Sequence, residues 1–187
     1  MNLRYETEHL ILSIGNESFA EQINAYLIRN REDFSRWDME LNDSYFTMEY
    51  QMKAVQAEQR LFMKGEGARY YLFLKRDMNY VIGNVTFGLM GKKGERLWEI
   101  GYKTDFRERG KGYAHEAAAF LIPKIAQEFK VKSIYAEILP ENRPSVALIE
   151  KLGFGFEKVL RGAHKVGGRN RDLLLYRLDA EGNGEAE

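Results

Sequence analysis

The chain has 187 residues, 44% of them hydrophobic and 30% charged, with no cysteine and with 28 basic residues balanced by 28 acidic ones. That length and composition suit one folded domain, since a chain of this size buries roughly 70% of its unfolded surface without covalent staples. They exclude a disulfide framework, a thiolate metal site and a cysteine nucleophile, and the neutral balance argues against direct nucleic-acid binding. His9, His115 and His164 lie far apart in sequence, so no metal is expected. No apolar run reaches membrane-spanning length, and residues 1–6 lack the apolar core of a signal peptide. A cytoplasmic location with no membrane partner is expected.

In chain order, residues 9–14 read as a first strand. Asn16 can cap the helix that follows, on which Phe19, Ile23, Tyr26 and Leu27 recur at helical spacing. Phe34 and Trp37 fall in a short helical segment. A longer helix is predicted over 47–64, with Tyr50, Ala54, Ala57 and Leu61 on one face and Gly65 and Gly67 at its end. The period then changes to strands. Residues 70–74, 80–90 and 97–104 are predicted to form an antiparallel meander, turning at Asp77/Asn79 and at Gly91-Lys92-Lys93-Gly94. A helix follows over 113–129, a strand over 133–139, and a short helix over 144–152 closed by Gly153. Two strands, 154–164 and 173–178, close the chain around Gly167-Gly168. With no repeat and no linker, this order predicts a single α+β domain over 1–178 and an acidic flexible tail over 179–187.

Two stretches carry chemistry. In Arg109-Gly110-Lys111-Gly112-Tyr113-Ala114 a strand has ended, a basic glycine-rich loop follows and a helix begins. Free N–H groups and the helix dipole favour an anion at such a start, and the glycines let a phosphate approach the backbone. The loop reads as a pyrophosphate cradle or as an ordinary tight turn. It is neither a P-loop, lacking the Gly-Lys-Ser/Thr ending, nor a dinucleotide fingerprint. The second stretch is Pro140-Glu141-Asn142-Arg143-Pro144-Ser145, with Glu150-Lys151-Leu152-Gly153-Phe154 beyond it. Asn142 stands where a strand hands over to a helix, where an N-cap is the plain reading.

Together these stretches resemble the GNAT superfamily of acetyltransferases. Residues 109–114 are similar to its acyl-CoA signature, Arg/Gln-x-x-Gly-x-Gly/Ala, which also fits in the overlapping register from Arg107. Glu6-Thr7-Glu8-His9-Leu10-Ile11-Leu12, Trp98-Glu99-Ile100-Gly101-Tyr102 and Asn142-x-x-Ser145 resemble the RimJ/RimL type, which acetylates ribosomal-protein N-termini. The resemblance covers residues 6–178. It implies a mixed, mostly antiparallel central sheet flanked by helices, with two parallel strands splayed apart to admit acetyl-CoA.

On that resemblance, main-chain groups of Tyr102, Lys103 and Thr104 would pair with the pantetheine like an added strand. Arg109, Gly110, Lys111, Gly112, Tyr113 and Ala114 would hold the pyrophosphate, and Asn142 would bond the pantetheine. A free amine would attack the thioester, with an N–H of the 100–102 strand segment stabilising the oxyanion. Ser145 matches the subfamily's general acid. Many GNAT enzymes use a Tyr four residues later, where this chain has Ile149. The base is Glu99, His164 at the position where RimL-like enzymes carry a carboxylate, or a water. Phe34, Trp37, Tyr45, Phe46 and Tyr50 are candidates to line the acceptor site, core packing being the plain reading for most. The acceptor would be a ribosomal-protein N-terminus or a small amine such as a polyamine, amino acid or antibiotic. A non-catalytic acyl-CoA-binding module is the other class. A homodimer is the expected state, resting on the aromatic-rich helical third.

Overall fold

Strand alternation decides which helix packs on which face. Residues 1–37, 42–91, 94–166 and 168–180 are described by the computed structural model. Among them the strands are β1 (Arg4–Glu6), β2 (Leu10–Ile14), β3 (Gly67–Leu74), β4 (Gly83–Met90), β5 (Leu97–Thr104), β6 (Ser133–Ile138), β7 (Gly155–Val166) and β8 (Arg169–Asp179). The helices are α1 (Ala20–Arg29), α2 (Arg31–Phe34), α3 (Met48–Lys64), α4 (Tyr113–Phe129) and α5 (Arg143–Lys151). One sheet holds these strands in the order β1-β2-β3-β4-β5-β6-β8-β7. The β5–β6 pair is parallel and the other pairs are antiparallel.

In β2 and β3 the even residues Leu10, Leu12, Tyr70 and Leu72 share a core with Ala117, Leu121 and Ile125 of α4. The odd residues Ile11, Tyr71 and Phe73 share a second core with Ile23 and Tyr26 of α1 and Val55 of α3. Each such burial contributes about 1.5–3 kcal/mol, which fixes the strand register because a one-residue slip would exchange the faces. Thr47 caps α3 by accepting from the Tyr50 N–H, and Gly65 ends it at φ 67°.

The predicted elements all form, with shifted ends. β1 was not foreseen; it pairs with β2 from Arg4↔Ser13 to Glu6↔Ile11, and three residues are too few to show a period. Asn16 caps a 3₁₀ turn, Glu17–Phe19, that leads into α1. Residues 80–82 precede β4 and do not belong to it, although Val81 and Ile82 are fully buried. Ile82 still donates its N–H to the Leu72 carbonyl at 2.9 Å and accepts from the Asp105 N–H at 2.8 Å, so the apolar run reflects burial and backbone bonding just ahead of the strand. β8 extends through Asp179, whose carboxylate accepts from Ser133 Oγ at 2.8 Å, so the last strand runs one residue past the expected end at 178. Residues 181–187, Lys92, Lys93 and Gly167 lie outside the described residues.

A buried polar knot joins α1 to the chain beyond β5. Asp105 has no exposed side-chain surface and accepts from Arg29 Nε at 2.5 Å, Asn30 Nδ2 at 3.2 Å and the Arg107 N–H at 3.0 Å. Burial pushes its carboxyl up, but these hydrogen bonds and the Arg29 charge outweigh burial, and Asp105 titrates below the usual carboxylate range. Asp105→Ala removes the carboxylate that Arg29 and Asn30 share, leaving the Arg29 charge with only carbonyl partners such as Val81, and is expected to cost about 3 kcal/mol in urea unfolding at neutral pH. The wild-type contribution is present above the unfolded-state pKa, near ~3.9, and is lost as pH falls through the lower folded value. The gap between wild type and variant should therefore close in acid.

Candidate active site

β5 and β6 pair only over Leu97↔Ser133, Trp98↔Ile134 and Glu99↔Tyr135. Beyond that point each strand follows its other neighbour. β5 stays on β4 as far as Gly83↔Thr104, and β6 stays on β8 as far as Ile138↔Leu174. The strands splay and open a cleft of about 840 Å³. Its walls include residues 100–104 of β5 and residues 136–139. Among the described residues β6 no longer pairs with β5 past Glu99↔Tyr135, so that edge of the strand faces the cleft, where an extended ligand could lie alongside it.

One end of the cleft is the start of α4. Gly110 and Gly112 adopt φ 73° and 84°, which a side chain disfavours, and a Cβ built on either meets no atom within 4 Å. The turn therefore needs glycine for its conformation and presents open space before its backbone. No side chain caps α4, whereas Thr47 caps α3, so the first N–H groups of α4 remain for a ligand. Gly110, Gly112, Tyr113 and Ala114 line the cleft.

The basic residues of this loop are held by carboxylates. Arg109 lines the cleft and makes a two-pronged ion pair with Asp33, one arm 2.8 Å long. Lys111 donates to Glu108 at 2.8 Å and is not among the cleft's lining residues. Lys103 places its ammonium 5.2 Å from the Phe34 ring centre.

The opposite wall is the start of α5. Asn142 precedes this helix, yet its side chain makes no capping bond and it lines the cleft. Ser145 lines the cleft beside it. The Tyr102 hydroxyl lies 2.9 Å from the Ser145 carbonyl oxygen and 2.8 Å from Ser145 Oγ. Burial pushes the Tyr102 phenol up to about 12, and its hydrogen bond with Ser145 draws it the other way. Ile149 is fully buried in the core, one helical turn from Ser145.

Glu99, Glu137 and His164 are among the titratable groups that line the cleft. Trp98 and Ile100 of β5 are buried, as are Ile134, Ala136 and Ile138 of β6, so alternation brings Glu99 and Glu137 to a shared face. Burial against the walls, and then the Glu137 charge, raise the Glu99 carboxyl above its ordinary range. Its side chain keeps solvent access, which limits the rise. Glu137 was missed from sequence, although the Ile-x-Ala-x-Ile alternation around it could have placed it there. Phe34 and Trp37 also line the cleft, but Tyr45, Phe46 and Tyr50 do not. Those three pack on one another, with ring centres 5.2 Å apart for Tyr45–Phe46 and 5.1 Å for Tyr45–Tyr50.

Residues 17–155 match the model of the acetyltransferase (GNAT) domain family. The chain belongs to the GNAT acetyltransferases. Among its relatives, the uncharacterized N-acetyltransferase p20 of Bacillus licheniformis is 33% identical over 118 residues, which span 63% of this chain and 65% of p20. The fold of this GNAT chain is similar to that of the ribosomal-protein-S5-alanine acetyltransferase of Vibrio fischeri, with a TM-score of 0.90 at 22% identity, covering 96% of this chain and 98% of the other. It is also similar to Mycobacterium smegmatis RimJ in complex with CoA-disulfide, with a TM-score of 0.84 at 20% identity over 95% and 85% of the two chains. The eight-stranded sheet with its single parallel pair is the GNAT fold, in the form seen in the RimJ and RimL enzymes.

Proposed function

We propose that this GNAT chain transfers the acetyl group of acetyl-CoA to the N-terminal amine of a ribosomal protein. The observation that carries the reading is the cleft between β5 and β6, lined both by the uncapped glycine turn before α4 and by the carboxylates Glu99 and Glu137. An extended pantetheine would pair with main-chain groups of residues 102–104 and with Asn142. Its pyrophosphate would meet the N–H groups of residues 109–114, with Arg109 beside it on the cleft wall. Likeness to the S5-alanine acetyltransferase and to CoA-bound RimJ supports the acceptor and the acyl donor respectively.

In this reading a cationic amine is drawn to Glu99 and Glu137. Glu99 takes the amine's proton, and its raised pKa suits that role better than an ordinary carboxylate. His164 lines the same cleft and is the alternative base. The nitrogen attacks the thioester carbon, and an N–H on the 100–102 edge stabilises the oxyanion. Ser145 protonates the departing sulfur. The cell compartment that fits this acceptor is the cytoplasm.

The test is acetyl transfer from labelled acetyl-CoA to a panel holding an Ala-initiated peptide, the same peptide with a blocked N-terminus, spermidine and free amino acids. The Ala peptide should be acetylated at its α-amine and the blocked peptide left alone. Preference for spermidine or a free amino acid would overturn the protein acceptor.

A further inference from the structure

A serine alone is a weak proton donor, because its alkoxide is far more basic than the thiolate it is asked to protonate. The Tyr102 hydroxyl lies within hydrogen-bond reach of both Ser145 Oγ, at 2.8 Å, and the Ser145 carbonyl, at 2.9 Å. Tyr102 sits on β5 and Ser145 on α5, so this contact also bridges the two walls of the cleft. At the α5 position where many GNAT enzymes carry a phenol, this chain buries Ile149. The phenol nearest to Ser145 therefore comes from another element.

We propose that Tyr102 and Ser145 form one proton relay, in which the phenol replaces the proton that Ser145 gives to the departing CoA sulfur. The inference rests on the acetyl-transfer reading above and adds a residue to it. As the tetrahedral adduct collapses, its C–S bond breaks and the electron pair goes to sulfur. The Ser145 O–H proton moves to that sulfur, and the Tyr102 O–H proton moves to Ser145 Oγ. The oxyanion of the adduct becomes the carbonyl of the acetamide. The proton taken from the amine nitrogen passes through solvent to the tyrosinate, so the relay ends each cycle as it began. The phenol is protonated at neutral pH, as any tyrosine is, which is the state the relay needs at the start. Tyr102 acts through Ser145, holding its hydroxyl in line and restoring its proton.

The experiment compares Tyr102→Phe, Ser145→Ala and the double variant, using the acceptor with the greatest turnover in the amine panel. Tyr102→Phe keeps the ring in place, so calorimetry with acetyl-CoA should give a Kd within threefold of wild type. Each single change should lower kcat about 10²-fold, the lower bound usual for general acid–base help. The double variant should fall no more than threefold below the worse single one, because two members of one relay are lost only once. A proton inventory in mixed H₂O/D₂O should be curved for wild type, with two protons in flight, and linear for Tyr102→Phe. A purely structural Tyr102 would leave that curvature in place. A wild-type kcat in Tyr102→Phe, or multiplicative losses in the double variant, would overturn the relay. Ser145→Ala with wild-type kcat would remove both Ser145 and the relay. Wild-type protein that leaves acetyl-CoA intact with every amine of the panel would overturn the acetyl-transfer reading itself.

Discussion

Gly112→Asp is expected to abolish acetyl-CoA binding, with a rise in Kd of more than ~100-fold by calorimetry. Two effects act at this position. Gly112 is the residue before α4 and holds φ 84°, a conformation that L residues rarely adopt. Its missing Cβ faces open space in the cleft, so an added side chain would project toward the place where the pyrophosphate is expected. A carboxylate there sets like charges against each other, at a cost of about 3 kcal/mol. Gly112→Ala separates the two effects. It carries the same backbone strain without the charge, and its Cβ meets no atom within 4 Å. The alanine variant should retain measurable affinity where the aspartate variant has none. Equal affinity of the aspartate variant and wild type would remove the α4 start from the cofactor site.

Glu99→Gln is expected to lower kcat/KM about 10²–10⁴-fold, the span usual for loss of a general base. Glu99 is held above the ordinary carboxylate range by burial and by Glu137. In wild type, kcat/KM should fall as pH drops through that raised value, and this acidic limb should vanish in Glu99→Gln. It should survive His164→Gln, because β5 keeps Glu99 beside the splay point whichever acceptor binds. Loss of the limb in His164→Gln instead would give the base role to the imidazole. Stability moves the other way. A raised folded-state pKa means that the native chain binds the Glu99 proton more tightly than the unfolded chain does. That contribution is fully present below the unfolded pKa and is lost as pH rises through the folded value. At neutral pH the Glu99→Gln protein should melt no lower than wild type, so a lost activity would not reflect lost folding.

The local signals were sufficient for most of the fold. The apolar runs of β2 and β3, the glycine that ends α3 and the glycines before α4 each act within a few residues, where sequence carries the information. The glycine turn before α4 was legible for the same reason, since a glycine turn opening a helix needs no distant partner to make its N–H groups available. Element ends were less legible where packing overrode pattern. Val81 and Ile82 have strand-like composition but are buried ahead of β4, and β1 is too short to display a period.

What sequence spacing could not supply was anything decided by two elements meeting. The sequence named Glu99 and Ser145, but only the antiparallel partners of β5 and β6 pull those strands apart past Glu99↔Tyr135 and make a cleft between them. Asn142 does stand at the cap position, its carbonyl accepting from the Ser145 and Val146 N–H groups, but its side chain makes no capping bond and lines the cleft. Arg109 looked free for phosphate, and α2 brings Asp33 to it from 76 residues away. Glu137 and the Tyr102 hydroxyl gained their meaning from neighbours on other strands and helices. A single sequence records which groups each residue carries and which local turns it permits. The proximity of those groups is a property of the packed sheet, whose register is set by burial on both faces at once.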